Sequence, residues 1–226
     1  MMTRSGTYRA AARIILAGIV SLAAAFCMTH PVAAKEYETA VLGSWEQDAD
    51  ADDGAEPIEW LIVDESEDAC LYVTKYAIDN VPYNDEESEV TWADSSIRAW
   101  LNSEFMEQAF TQEERAKIVP VTLENAANPD HGTSTGENTL DSVFLLDVQE
   151  VGRYFPEARD RVAEPSDAVK EDGIILLHDN CLWRLRTSGR TEKHAVVVLT
   201  TGEYDYCGLN VSYELACIRP AMWVAK

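Results

Sequence analysis

V-T-W-A-D-S-S-I-R-A-W-L-N-S-E-F-M-E-Q-A-F, residues 90–110, is the stretch that decides the fold of this chain. Asp94 is predicted as a helix N-cap, because its carboxylate can accept hydrogen bonds from the free amides of the first turn. Apolar residues then recur at helical spacing, which predicts one buried face made of Ile97, Trp100, Leu101 and Phe105. We therefore expect Trp100 to fill the interior. The alternative places Arg98 or Trp92 at a ligand surface.

Capping patterns predict where the helices begin and end. The N-S pair at 102–103 is predicted to interrupt the first helix. Thr111 and Glu114 form the capping-box pattern T-x-x-E, which predicts a second short helix. Asp147 is predicted to cap a further helix over residues 148–154.

Apolar runs predict strands on both sides of these helices. The run P-I-E-W-L-I-V-D at 57–64 is apolar on both faces, which predicts a central strand. Pro120 interrupts the run at 118–123, as expected for an edge strand, because proline cannot donate to a ladder. Further strands are predicted at 174–177, 182–186, 195–200, 203–207 and 215–224. The prediction is one α+β domain of mixed or antiparallel sheets, with a few short helices and a β-rich C-terminal half.

Residues 1–34 have the order of a signal peptide. Arginines without acidic residues come first, an apolar run at 14–28 follows, and V-A-A at 32–34 ends the segment. The apolar run is shorter than the roughly 20 residues of a membrane span. We therefore expect cleavage after Ala34, a single secreted or extracytoplasmic domain at 35–226, and no transmembrane span in the mature chain. Retention of the leader as an anchor is the alternative.

The charge of the chain restricts its partners. The whole sequence has 18 basic and 40 acidic residues, and removal of the three arginines of the leader changes the net charge from −22 to −25. Such a surface repels nucleic acid and anionic membranes, because phosphate groups are bound by basic patches. Nucleic acid is therefore not an expected partner.

Four cysteines remain after the predicted cleavage, namely Cys70, Cys181, Cys207 and Cys217. An even number in an exported chain predicts disulfides, and four cysteines allow three pairings between which the sequence does not choose. We expect at least one bridge among the last three. No C-x-x-C pair occurs, so a zinc site of ordinary spacing is not expected.

The acidic run at 48–54 has part of the pattern of a calcium loop. Asp53 stands where an EF-hand loop needs glycine, and Gly54 comes one residue too late. This run is predicted as an exposed hairpin loop, and neither a metal nor another cofactor is predicted for the chain.

Aromatic and basic residues concentrate in the C-terminal half. Aromatic groups beside polar groups suit sugars, and arginines suit anionic groups. Loops on a rigid sheet commonly carry binding residues, so the loops at 187–193 and 208–214 are the predicted ligand surface. The candidate ligand-binding residues are Arg190, Lys193, Asn210 and Tyr213. The alternative is that both loops are solvated connections, with Trp183 and Arg186 in the core and Arg186 paired to a buried acid.

Motifs along most of the mature chain resemble one bacterial extracytoplasmic family, domain of unknown function 6273. They are P-I-E-W-L-I-V-D from Pro57, T-K-Y-A-I-D from Thr74, P-Y-N from Pro82, T-W-A-D-S-S-I-R-A-W-L-N from Thr91, V-F-L-L-D from Val143, W-R-L-R-T-S-G from Trp183 and I-R-P-A-M-W-V from Ile218. The usual W-W-L-R-S-P-G of the family is changed here at Arg184, Thr187 and Ser188. The family resembles in turn the C-type-lectin-like fold of formylglycine-generating enzymes, whose terminal strand carries an arginine that would be Arg219. The resemblance implies a fold and an envelope location.

No complete catalytic constellation is present in the sequence. The histidines after the leader lie in or near predicted loops, and no G-x-S-x-G elbow between a strand and a helix is predicted. Cysteines that are oxidised to disulfides are poor nucleophiles. We therefore expect a non-catalytic exported module that binds a glycan or a protein partner at the cell envelope. The alternatives are an extracellular enzyme with an unrecognised active site and an exported structural scaffold.

Overall fold

Strands outnumber helices within residues 36–226, the part of the chain that the computed structural model describes. The strands are β1 (Glu38–Trp45), β2 (Glu56–Glu65), β3 (Ala69–Thr74), β4 (Ile118–Val119), β5 (Val121–Leu123), β6 (Thr139–Asp141), β7 (Val143–Phe144), β8 (Leu176–Leu177), β9 (Asn180–Cys181), β10 (Trp183–Ser188), β11 (His194–Val198), β12 (Tyr204–Asn210) and β13 (Ala221–Ala225). The helices are α1 (Ser96–Trp100), α2 (Met106–Ala109), α3 (Gln112–Arg115), α4 (Val148–Tyr154), α5 (Ala158–Arg161) and α6 (Asp167–Glu171). The predicted signal peptide, residues 1–34, lies outside the described residues.

The largest sheet has the order β1-β2-β3-β13-β4, and β7 also pairs with β13. All of its pairings are antiparallel. Strand β2 lies between β1 and β3, with Ile58 and Trp60 fully buried, so its predicted central position is confirmed. Strand β4 ends the order and Pro120 separates it from β5, as predicted for an edge. The single α+β domain with antiparallel sheets and short helices is therefore confirmed.

The strand predicted over 215–224 forms only in its second half. The Cys217 amide donates to the Leu182 carbonyl at 3.0 Å, and the Ile218 amide donates to the Asp79 carbonyl at 2.8 Å. These bonds hold the segment against two different neighbours, and Pro220 supplies no amide, so a regular ladder begins only after it. Strand β13 then closes the domain by pairing with β3, β4 and β7.

The helical stretch differs from the prediction at both ends of its first helix. The N-cap of α1 is Ser95, whose side chain accepts from the Arg98 amide, and Asp94 lies in a preceding 3-10 turn over Trp92–Asp94. The helix is widened rather than interrupted after Trp100, because residues Leu101–Phe105 form a π-helical segment between α1 and α2. The Asn102 side chain donates to the Arg98 carbonyl at 3.0 Å within that segment.

Trp92, not Trp100, is the tryptophan of this stretch that fills the interior. Trp92 is fully buried and donates its indole N–H to the buried carboxylate of Asp141 at 2.9 Å. Arg98 donates to the same carboxylate at 2.6 Å, so neither residue forms a free ligand surface. Trp100 is half-buried and packs edge-on against Trp45.

The capping predictions hold for the later helices. Thr111 with Glu114 closes a capping box at α3, and Asp147 with Glu150 closes one at α4. Helices α5 and α6 were not expected, because residues 157–172 are highly charged and weakly patterned. No helix in the described part of the chain is both long and apolar enough to cross a membrane.

A second sheet has the order β10-β11-β12 and shares one apolar core with the first. Every residue of β10 is buried, including Arg184 and Arg186. Fully buried arginines must be compensated by charge or by hydrogen bonds, and their partners define the candidate site.

Candidate functional site

A cavity of about 500 Å³ opens where β5, α4, β10 and β13 meet. Its volume falls within the roughly 300–1,000 Å³ of small-molecule sites. Polar and charged side chains line it together with one indole. The lining residues that matter for binding are Glu124, Asp147, Gln149, Glu150, Arg153, Arg186 and Trp223.

Arg186 forms the floor of this cavity and is only 1% exposed. Its guanidinium donates to Asp147 Oδ2 at 3.0 Å and forms a close ion pair with Glu150. It also donates to Asn125 Oδ1 at 3.1 Å and to the Leu145 carbonyl at 2.9 Å. Burial by itself lowers the pKa of Arg186, but the charges of Glu150 and Asp147 outweigh it and raise the pKa. The sequence alternative that paired Arg186 with a buried acid is confirmed.

Both oxygens of each carboxylate accept a hydrogen bond from within the protein. Asp147 accepts from the Glu150 amide at 2.7 Å, and Glu150 accepts from the Asp147 amide at 2.9 Å. Each also accepts from Arg186. These bonds join the first turn of α4 to Arg186 on β10, so the pair positions the helix against the strand.

Four residues form the rim of the cavity: Glu124, Gln149, Arg153 and Trp223. Gln149, Arg153 and Glu124 are exposed, and Trp223 is half-buried on β13. The Glu124 carboxylate and the Gln149 amide make no hydrogen bond with any described residue. The rim thus offers an aromatic face beside unoccupied donors and acceptors, which is the combination that binds sugar rings.

Arg190, Lys193 and Asn210 lie at the end of the sheet where β10 turns into β11, and none of them lines this cavity. The Arg190 amide donates to the Cys207 carbonyl at 2.9 Å, and the Lys193 carbonyl accepts from the Val211 amide at 2.9 Å. Arg190 is exposed, and its guanidinium lies 3.1 Å from Nε2 of His194. Burial, followed by the charge of Arg190, lowers the pKa of His194.

Asn210 and Tyr213 make more contacts within the protein than their predicted place at a hairpin tip suggested. Their carbonyl oxygens accept from the buried guanidinium of Arg184, whose pKa burial lowers to about 10. The Tyr213 side chain packs against a small cluster that includes Leu182 and Val197. Among the four candidates, Arg190 is the one whose side chain is fully exposed, and a ligand at these loops remains a prediction.

All four cysteines carry free thiols in this structure. Cys181 and Cys217 are both buried neighbours, and their thiol contact, with burial, raises the pKa of Cys217. A disulfide among Cys181, Cys207 and Cys217 therefore remains a prediction. Within this set, Cys181 and Cys217 are the two whose thiols lie in contact.

Acidic side chains surround the turn between β1 and β2. Carboxylate oxygens of Glu46, Asp48 and Glu56 lie within 4.8 Å of one another. Asp48 also accepts from the Asp50 amide at 2.9 Å, and Glu56 accepts from the Gln47 amide at 2.6 Å. The group is a partly exposed hairpin turn, as expected from its sequence, and the prediction about calcium is untested.

The cavity rim was not predicted from the sequence. Asp147 and Glu150 carried a capping signal, but nothing in the local pattern connected them to Glu124 or Trp223. Those residues line one cavity because β13 inserts between β3 and β4.

A family model described as Domain of unknown function (DUF6273) matches residues 67–226. Neither the search of curated proteins nor the search of solved structures found a match.

Proposed function

The chain belongs to the DUF6273 family, and we propose that it is a non-catalytic exported module that binds a glycan at the cell envelope through the cavity rim. One observation carries this proposal: the Trp223 indole shares a cavity of about 500 Å³ with the unoccupied polar groups of Glu124 and Gln149. An indole can stack on the apolar face of a sugar ring while amide and carboxylate groups bind its hydroxyls.

The hydrogen bonds and ion pairs of the cavity carboxylates favour binding without turnover. Asp147 and Glu150 are the acids nearest the cavity floor. Each carboxylate pairs with Arg186 and accepts a hydrogen bond from a backbone amide. A glycosidase needs one acid that can give up a proton and a second that acts as base or nucleophile. An extracellular enzyme is the alternative function.

The C-type-lectin-like fold and the envelope location are part of the same proposal. Strand β13 pairs with β3, β4 and β7, and Arg219 lies two residues before it, whereas the resemblance implies an arginine within the terminal strand. The order of basic, apolar and small residues in 1–34 supports export. Fold alone does not specify a ligand, so the choice of a glycan comes from the rim.

The test is a glycan and cell-wall array followed by calorimetry on the purified exported protein. We expect Gln149→Ala and Glu124→Ala to weaken binding of any glycan found by about tenfold each, equivalent to about 1.4 kcal/mol. Their melting temperatures should not change, because both side chains are exposed. Gln112→Ala, an exposed glutamine outside the cavity, is the matched control.

The same measurement separates the alternatives. Loss of binding in Arg190→Ala, with Gln149→Ala unaffected, would move the site to the predicted loops. Release of a cleaved sugar from the bound glycan would show an enzyme. Binding of an envelope protein, with no glycan bound at the rim, would show that the ligand is a protein and not a glycan.

A further inference from the structure

Cys207 lies at a bulge on the edge strand β12. Between the pairs Ala195 with Leu209 and Val197 with Asp205, β12 carries two more residues than β11. Asp205 Oδ1 holds this bulge by accepting from the Cys207 amide at 3.0 Å. Gly208 has a φ of 72°, and a side chain there would collide with the Ala195 carbonyl. Bulges redirect side chains, and here the Cys207 thiol is exposed to solvent.

His131 reaches this thiol from a loop that is 76 residues away in sequence. Its Nε2 lies 3.6 Å from the Cys207 sulfur. The loop is anchored by Asn128, which is 1% exposed. The Asn128 amide donates to the carbonyls of Ser188 at 2.8 Å and Tyr206 at 2.9 Å, one residue before the cysteine.

The other end of the Asn128 side chain shapes the turn that carries the histidine. Its Oδ1 accepts from the amides of Asp130 at 2.9 Å and His131 at 3.1 Å. One buried side chain therefore fixes both the imidazole turn and the strand that bears the thiol. The contact between Cys207 and His131 is built by the fold and is not a chance meeting of two surface groups.

We propose that Cys207 is a thiol–disulfide exchange site, with His131 as its base, and that its substrate is a small cationic disulfide. The sulfur of Cys207 attacks one sulfur of the external disulfide while His131 accepts the thiol proton. A new S–S bond forms to Cys207, the old S–S bond breaks, and the departing thiolate takes up the proton. Asn128 acts as a positioning residue.

The charge of the substrate follows from the surroundings. Asp130 and Asp205 flank the pair within the two turns, and the chain has a net charge of −22. Arg190 lies on the neighbouring turn, where its amide donates to the Cys207 carbonyl and its guanidinium is directed to His194. A negative field concentrates cations and repels anions at low ionic strength. The other thiols among residues 36–226 are less accessible, since Cys70 is half-buried and Cys181 and Cys217 are buried.

The experiment exposes the reduced full-length protein to cystamine and follows the added mass at each cysteine by peptide mapping. We expect Cys207 to react before Cys70, and His131→Gln to slow its reaction at pH 7 by about tenfold. At pH 9.5 the two proteins should react alike, because hydroxide then ionises an ordinary thiol without help. Free imidazole in the buffer should restore part of the lost rate.

Charge and position provide the remaining controls. Dithiodipropionate, an anionic disulfide of similar size, should react more slowly than cystamine, with the difference shrinking as salt is added. Equal rates for the wild type and His131→Gln at pH 7 would overturn the role of the histidine. Faster reaction at Cys70 would overturn the site, and a preference for the anionic disulfide would overturn the substrate class.

Discussion

Arg186 and Arg219 are buried in two different regions of the molecule, and these regions compensate the charge in opposite ways. At the cavity, Arg186 meets the carboxylates of Asp147 and Glu150. Behind β3, Arg219 is 2% exposed and donates to the Thr74 carbonyl at 3.0 and 2.8 Å. Its guanidinium lies 5.3 Å from the ring centre of Phe155 and 5.0 Å from that of Trp183. Burial lowers the pKa of Arg219 to about 10.

The two arginines are almost equally buried, so the difference lies in how much hydration the counter-group keeps. Glu150 is 25% exposed, so it remains partly hydrated while it pairs with Arg186. A carboxylate beside Arg219 would have to be dehydrated completely, at a cost that often exceeds the gain from pairing. Carbonyl dipoles and aromatic faces compensate a charge there without a second buried ion.

The largest expected effect is at the paired arginine. Arg186→Met should lower the free energy of unfolding by about 3–5 kcal/mol, because it leaves two partly buried carboxylates uncompensated. Urea denaturation followed by tryptophan fluorescence measures this. A loss below about 1 kcal/mol would mean that solvent already neutralises the pair, and the comparison would fail.

A smaller effect is expected at the unpaired arginine. Arg219→Met should lower the free energy of unfolding by about 1–3 kcal/mol. The Thr74 carbonyl loses hydrogen-bond donors, but no carboxylate is left without its counter-charge. The methionine can occupy the slot between Phe155 and Trp183. The same denaturation experiment applies, and a loss as large as that of Arg186→Met would show that the two regions do not differ.

A double-mutant cycle sharpens the comparison further. In Arg186→Met/Glu150→Gln, the glutamine still accepts from the Asp147 amide but no longer carries a charge. The double variant should be more stable than the sum of the two single changes predicts, by about 1 kcal/mol. Strict additivity would show that Glu150 and Arg186 do not interact.

The smallest effect is expected at an arginine outside both regions. Arg190 is exposed and contacts His194. Arg190→Ala should therefore change the free energy of unfolding by less than about 0.5 kcal/mol. A larger change in the same urea titration would make the 187–193 loop part of the stabilising framework.

Much of the local structure was predictable from the residues. The capping boxes at Thr111 and Asp147, the break at Pro120 and the central position of 57–64 each depend on neighbours within a few residues. The acid partner of Arg186 was predictable in kind, because a buried guanidinium requires compensation. The first helix cap was misplaced by one residue, since Asp94 and Ser95 are both good caps and only backbone geometry distinguishes them.

The sequence by itself determined the family, the α+β class and the type of group that Arg186 would need. Only the tertiary structure decided which residues come together: Asp147 pairs with Arg186, Trp223 and Gln149 line one cavity, and His131 contacts Cys207. The physical reason is range. Helix periodicity and capping act over about four residues. These contacts depend instead on the order of the strands and on the position of β13 between β3 and β4.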